Sequence, residues 1–223
     1  NSAALKLLAS VFHRVGRFAE ARIEFEKYLA ATERTPENLI YLGNLCMLSL
    51  EFEKADVALK EAAGIAPRDL KVLAARALLS IYQGKTQQAG SFANECVRID
   101  PSYLDIYPYL SVVRKGHLRE NEIVELGKII HDPSRSIQDR AKASFVLAHH
   151  LDSERDIENA FSEYSRANRL SEERKRSEGY QFDRDGADAW CDKVIEVFKG
   201  APQLEEPHAD VTPIFVVGMP RCG

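Results

Sequence analysis

Apolar and small positions recur along the chain at a step of 34 residues. Ala21, Ala55 and Ala89 share one column, Leu5, Leu39, Leu73 and Tyr107 another, and Leu8 and Leu42 a third, which Arg76 interrupts. Phe18 and Phe52, then Phe25, Leu59 and Ala93, keep the same step, as do Pro67 and Pro101. Self-similarity of this length predicts helical hairpins stacked side by side, each burying its apolar face on the next. Two antiparallel helices approach closely only where one presents a small side chain. The alanine column therefore marks the crossing inside each hairpin, with large residues filling the flanks. Gly16 and Gly84 stand where the first helix of a pair must stop, because glycine accepts a left-handed turn that other residues resist. Pro67 and Pro101 stop the second helix.

The clearest copy covers residues 36–69, with Leu39, Leu42, Gly43, Phe52, Ala55, Ala62 and Pro67 in order. On these residues the chain resembles the tetratricopeptide repeat family, which implies an all-α, right-handed superhelix of hairpins. Five copies are read, at 2–35, 36–69, 70–103, 104–137 and 141–174. The first keeps Leu5, Leu8, Phe12, Gly16, Phe18, Ala21 and Phe25. The third stays in register but carries Arg76 in an apolar column and Thr86 where Phe52 sits. In the fourth, Tyr107 and Leu110 are kept, Ile123 replaces the alanine, and extra residues around Asp132, Pro133 and Ser134 shift the phase. The fifth recovers it through Leu147, Ala148, Leu151, Ile157, Ala160, Tyr164 and Ala167.

The repeat domain is thus read as 1–174, followed by a connector and helix at 175–200 and a linker at 201–212 rich in Pro, Glu and Asp. Trp190, Val194, Val197 and Phe198 give the helix at 187–199 one apolar face, so it is expected to cap the open end of the stack. The chain begins at Asn1 without a methionine and inside a repeat, and is expected to be a fragment at that end.

At 213–223 the texture changes to Pro-Ile-Phe-Val-Val-Gly-Met-Pro-Arg-Cys-Gly. An apolar, β-branched run ending in glycine is the pattern of a buried parallel strand feeding a loop. Gly218 and Gly223 have the G-x-x-x-x-G spacing that lets backbone N–H groups converge on a phosphate. This stretch resembles the opening strand and 5′-phosphosulfate-binding loop of sulfotransferases, including bacterial members in which tetratricopeptide repeats precede the catalytic domain. The resemblance implies a truncated α/β domain whose donor is 3′-phosphoadenosine-5′-phosphosulfate. Gly218, Pro220, Arg221 and Gly223 then match the loop, and the resemblance places Arg221 to contact the transferring sulfuryl group or its bridging oxygen. Cys222 replaces the family's serine and removes a hydroxyl donor. A nucleoside-triphosphatase loop or a plain buried strand are the other readings of these residues. The chain itself is expected to be inactive, since it holds no acceptor base.

The 223 residues are 45% hydrophobic and 29% charged with a formal charge of −4, an ordinary folded composition without the basic stripe that nucleic acid requires. Cys46, Cys96, Cys191 and Cys222 have no paired spacing, so they read as reduced thiols and point to the cytoplasm. No run approaches the roughly 18 apolar residues of a membrane span. His149 and His150 are adjacent and point to different helix sides, and His149 with Asp152 makes only two groups; no metal is expected. The cluster Arg174, Lys175 and Arg176 follows Glu172 and Glu173 and reads as a solvated helix end.

A stack of such hairpins displays its first helices on a concave groove that takes peptides or partner proteins. The candidate groove residues are Lys6, Ser10 and His13, then Glu37, Ile40, Asn44 and Met47, then Lys71, Leu78 and Tyr82. Lys6 and Lys71 match two columns of the family's carboxylate-gripping set, but Ser10, Tyr41 and Ala75 occupy the others, so that grip is not expected. Two functions remain open. One is a sulfotransferase whose repeats recruit the acceptor, and the other is a stand-alone interaction scaffold.

Overall fold

A computed structural model describes residues 2–199. Every regular element among them is helical: α1 (Ser2–Arg14), α2 (Phe18–Ala30), α3 (Pro36–Leu48), α4 (Phe52–Ile65), α5 (Leu70–Tyr82), α6 (Thr86–Ile99), α7 (Tyr107–Arg114), α8 (Glu120–His131), α9 (Ile137–Ser153), α10 (Ile157–Ser177) and α11 (Arg184–Lys199). A short 3-10 turn, Leu104–Ile106, leads into α7. The proposed strand and phosphate loop at 213–223 and the linker at 201–212 lie outside the described residues.

The chain divides at Gly179 into two compact units. In the first, α1 with α2, α3 with α4, α5 with α6 and α9 with α10 pack as hairpins, while in the fourth repeat α7 packs on α6 and α9 and α8 packs on α9 rather than on α7. First helices pack on first helices, α3 on α5, α5 on α7 and α7 on α9. The alanines behave as the crossing argument requires: Ala21, Ala55 and Ala89 are fully buried and Ala160 nearly so. Gly16 and Gly84 take φ of +77° and +71° at the hairpin turns. Helices α4 and α6 end two residues before Pro67 and Pro101.

Several first helices start on a side-chain cap. Thr35 accepts from the Asn38 amide, Asp69 from Val72 and Ser136 from Asp139. One apolar core lies among α1 to α5, built on Phe25, Leu45, Leu59 and Leu79; a second lies among α5 to α9, built on Tyr107, Leu110, Leu126 and Ile130.

Where the repeat pattern breaks, specific contacts take over. Arg76 lays its guanidinium 4.2 Å from the centre of the Phe92 ring, so the cation in the apolar column is packed rather than stranded. In the fourth repeat, where Ile123 stands for the alanine, α7 and α8 do not pack along their lengths, and polar groups join the end of α7 to the start of α8. Arg114 Nη1 lies 2.6 Å from Glu122 Oε2 and its other terminal nitrogen donates to Asn94. The same carboxylate accepts the Arg119 amide at 2.8 Å, and Glu122 is completely buried. One ion pair therefore ties α6, α7 and the start of α8 together.

The fifth hairpin is the longest. Helix α10 runs past residue 174 to Ser177, holding its basic end with Arg174–Glu178 and Arg176–Glu172 pairs at 2.8 and 2.7 Å. Helix α11 belongs to the second unit.

Candidate partner-binding groove

The ten groove positions read from the sequence fall into two cavities. His13, Ile40, Asn44, Met47, Lys71, Leu78 and Tyr82 line the larger one, whose volume is about 830 Å³. Lys6, Ser10 and Glu37 line a separate recess of about 240 Å³ with Phe25, Asn38 and Tyr41. Lys6 and Lys71 thus line different cavities.

The larger groove draws on the first helices of the repeats, Tyr103 and the 3-10 turn before α7; among the described residues α2, α4, α6, α8 and α10 contribute nothing to its lining. The reason is the hairpin register. The second helices α2, α4, α6 and α10 turn their small residues to the crossing and their polar faces outward, leaving the first helices to form the inner wall.

The floor is Ile40, Met47, Ala74, Ala75, Leu78, Leu104 and Val146. Phenols stand around it. Burial pushes the Tyr103 hydroxyl up to about 12, with the Asp105 charge adding to the effect, and raises Tyr109 for the same two reasons. Both therefore stay neutral and able to donate. Tyr82 stacks on Phe52 with centroids 6.0 Å apart, and His13 Nδ1 meets the Tyr41 hydroxyl at 3.1 Å. Two lysines reach the groove. Lys142 is held by Asp105 at 2.6 Å, whereas Lys71 makes no ion pair among the described residues.

The sequence reading missed the part of this lining that comes from the fourth and fifth repeats. Asp105, Pro108 and Tyr109 stand one repeat after Lys71, Ala74 and Ala75, so carrying the same columns forward finds them. Lys142 and Phe145 follow the phase shift near Pro133, and no column leads to them. The sulfotransferase-like positions Gly218, Pro220, Arg221, Cys222 and Gly223 lie outside the described residues.

No family model matches the chain. It is 27% identical over 200 residues to an uncharacterized protein of Aquifex aeolicus, covering 86% of this chain but 24% of that protein, so it spans about a quarter of the relative's length. Among solved structures it is similar to TTC0263, a tetratricopeptide protein of Thermus thermophilus, with a TM-score of 0.58 and 17% identity over 87% of this chain and the whole of that one. It is also similar to pilF of Pseudomonas aeruginosa, with a TM-score of 0.56 and 16% identity over 90% of this chain and 93% of that one. A third, MamA, has a TM-score of 0.52 at 17% identity, covering 76% of this chain and 97% of that one. The fold is that of a tetratricopeptide-type helical repeat protein. Likeness at these identities concerns the fold alone. Among the described residues no helix is long and apolar enough to cross a membrane.

Proposed function

We propose that this repeat stack is a protein-interaction scaffold whose concave groove holds a partner segment, apolar along its middle and acidic near one end. What carries the reading is the continuity of the groove across the first helices of five successive repeats over an apolar floor, with Lys71 on its lining and in no ion pair among the described residues. A segment that lies across such a floor gains affinity from burial of apolar surface, and the lysine fixes direction by charge. The buried free thiols Cys46 and Cys96 suit a reducing compartment.

The test is selection of displayed peptides on the 223-residue chain, followed by affinity measurement on the enriched sequences. Apolar peptides with an acidic residue are expected, binding about tenfold or more weakly to Leu78→Asp, since an unpaired buried charge costs more than 1.4 kcal/mol. Binding to Lys71→Glu should fall too and lose its salt dependence. Enriched peptides that bind Leu78→Asp as well as the parent count against the groove.

A second reading rests on residues 213–223. With the G-x-x-x-x-G spacing and the Pro220-Arg221 pair, these residues support a sulfotransferase that uses 3′-phosphoadenosine-5′-phosphosulfate, with the groove recruiting its acceptor. Donor binding by the longest natural chain carrying this segment tests it. Arg221→Ala should weaken binding by about 1.5–3 kcal/mol, the worth of a hydrogen bond to a charged group; unchanged affinity removes Arg221 from the donor site.

A further inference from the structure

We propose that His117, His150 and Glu154 hold one divalent transition ion of the zinc class where the turn of the fourth repeat meets that of the fifth. One ligand-type atom from each residue lies within 4.8 Å of the other two. His117 sits in the connection between α7 and α8, His150 in the last turn of α9, and Glu154 at its C-terminal boundary. His150 and Glu154 are four residues apart, a spacing that puts both side chains on one helix face.

His117 is brought to that face by a close backbone approach. Gly116 is buried with φ of +92°, and a Cβ there would stand 2.7 Å from Ser153 Cβ and 3.0 Å from His149 Nδ1. The α7–α8 turn thus rests directly on the end of α9, which only glycine permits. The Leu118 amide, next to His117, donates to His150 Nδ1. The cluster is therefore positioned by packed backbone on both sides, and two of its members already touch, His117 Nδ1 lying 2.7 Å from Glu154 Oε1.

Two imidazoles and one carboxylate suit zinc and its neighbours, whereas calcium and magnesium take oxygen ligands. Zinc–ligand bonds of about 2.0–2.2 Å set ligand atoms about 3.3 Å apart, so the His117–Glu154 pair opens slightly and His150 closes in. His117 and Glu154 are each about half exposed and free to adjust. At His150 the ion takes the Nδ1 lone pair now accepting the Leu118 amide, a long bond at 3.3 Å, while Nε2 keeps its proton. Water fills the remaining coordination. The ion would staple the turns of two repeats, the fourth of which has a first helix of only eight residues.

The experiment uses tag-free, chelator-treated full chain carrying Cys191→Ser and Cys222→Ser, titrated with zinc chloride in a calorimeter and melted with and without zinc. One equivalent should bind with a Kd on the order of micromolar, and the melting temperature should rise by mass action. Both effects should weaken about tenfold or more in His117→Ala and in Glu154→Gln, and stay unchanged in His131→Ala. His150→Ala should also lose the ion; because His150 is buried, the two exposed-position variants decide if it fails to fold. No stoichiometric zinc binding, or binding that both His117→Ala and Glu154→Gln leave intact, overturns the site.

Discussion

Gly43 on α3 lies so close to Leu59 on α4 that a Cβ at position 43 would stand 2.8 Å from Leu59 Cδ2 and 2.9 Å from its Cγ. Leu59 is itself buried to within 1% of its surface, so its branch point has nowhere to retreat. The second hairpin is held at this spacing, and the groove wall formed by α3 depends on it. Gly43→Ala should gain helix propensity yet lose about 1–3 kcal/mol to overpacking, measured by urea unfolding. A variant as stable as the parent shows that the helices separate freely at this point.

The buried ion pair between α7 and the start of α8 gives a sharper contrast. Arg114→Ala leaves the Glu122 carboxylate, with no exposed surface, without its cation, and should cost about 3–5 kcal/mol. Replacing both residues by methionine should cost less than Arg114→Ala alone, because no charge is left buried. Denaturant midpoints of the single and double variants check the order, and the reverse order contradicts the clamp.

Burial pushes the Cys46 thiol up to about 11 and the Cys96 thiol up to about 12. Well below the ordinary thiol value of 9.0 both are neutral in the folded and the unfolded chain, and their contribution to stability is intact. Above that pH the unfolded chain releases thiol protons that the folded chain keeps, so stability falls as pH rises from about 9 toward 11 and 12. Urea unfolding across this range should show a shallower decline in Cys46→Ala and Cys96→Ala than in the parent. Identical slopes contradict the burial of these thiols.

The parts of this molecule legible in its sequence are those governed by periodic packing. Ala21, Ala55 and Ala160 could be placed at buried crossings because a close helix pair tolerates nothing larger, and Gly16 and Gly84 because the turn needs a left-handed residue. The same periodicity reaches Lys71, Leu78 and Tyr82 in the groove but stops short of Lys142 and Phe145. Two features escaped it. The Arg114–Glu122 ion pair joins α7 to the start of α8 through polar groups, which no apolar column records. His117 lies more than thirty residues from His150 and Glu154 and meets them only through the packed turn at Gly116.

The claim that the first helices form the binding face is tested most directly by site-specific photo-crosslinking with the best selected peptide. A benzophenone side chain is placed at Tyr82, on the groove and about half exposed, or at Val57, on α4 and about two-thirds exposed. The account predicts a covalent peptide adduct from position 82, lost on competition with unlabelled peptide, and none above background from position 57. Efficient adduct formation at 57 with none at 82 places the partner on the outer helices and contradicts it.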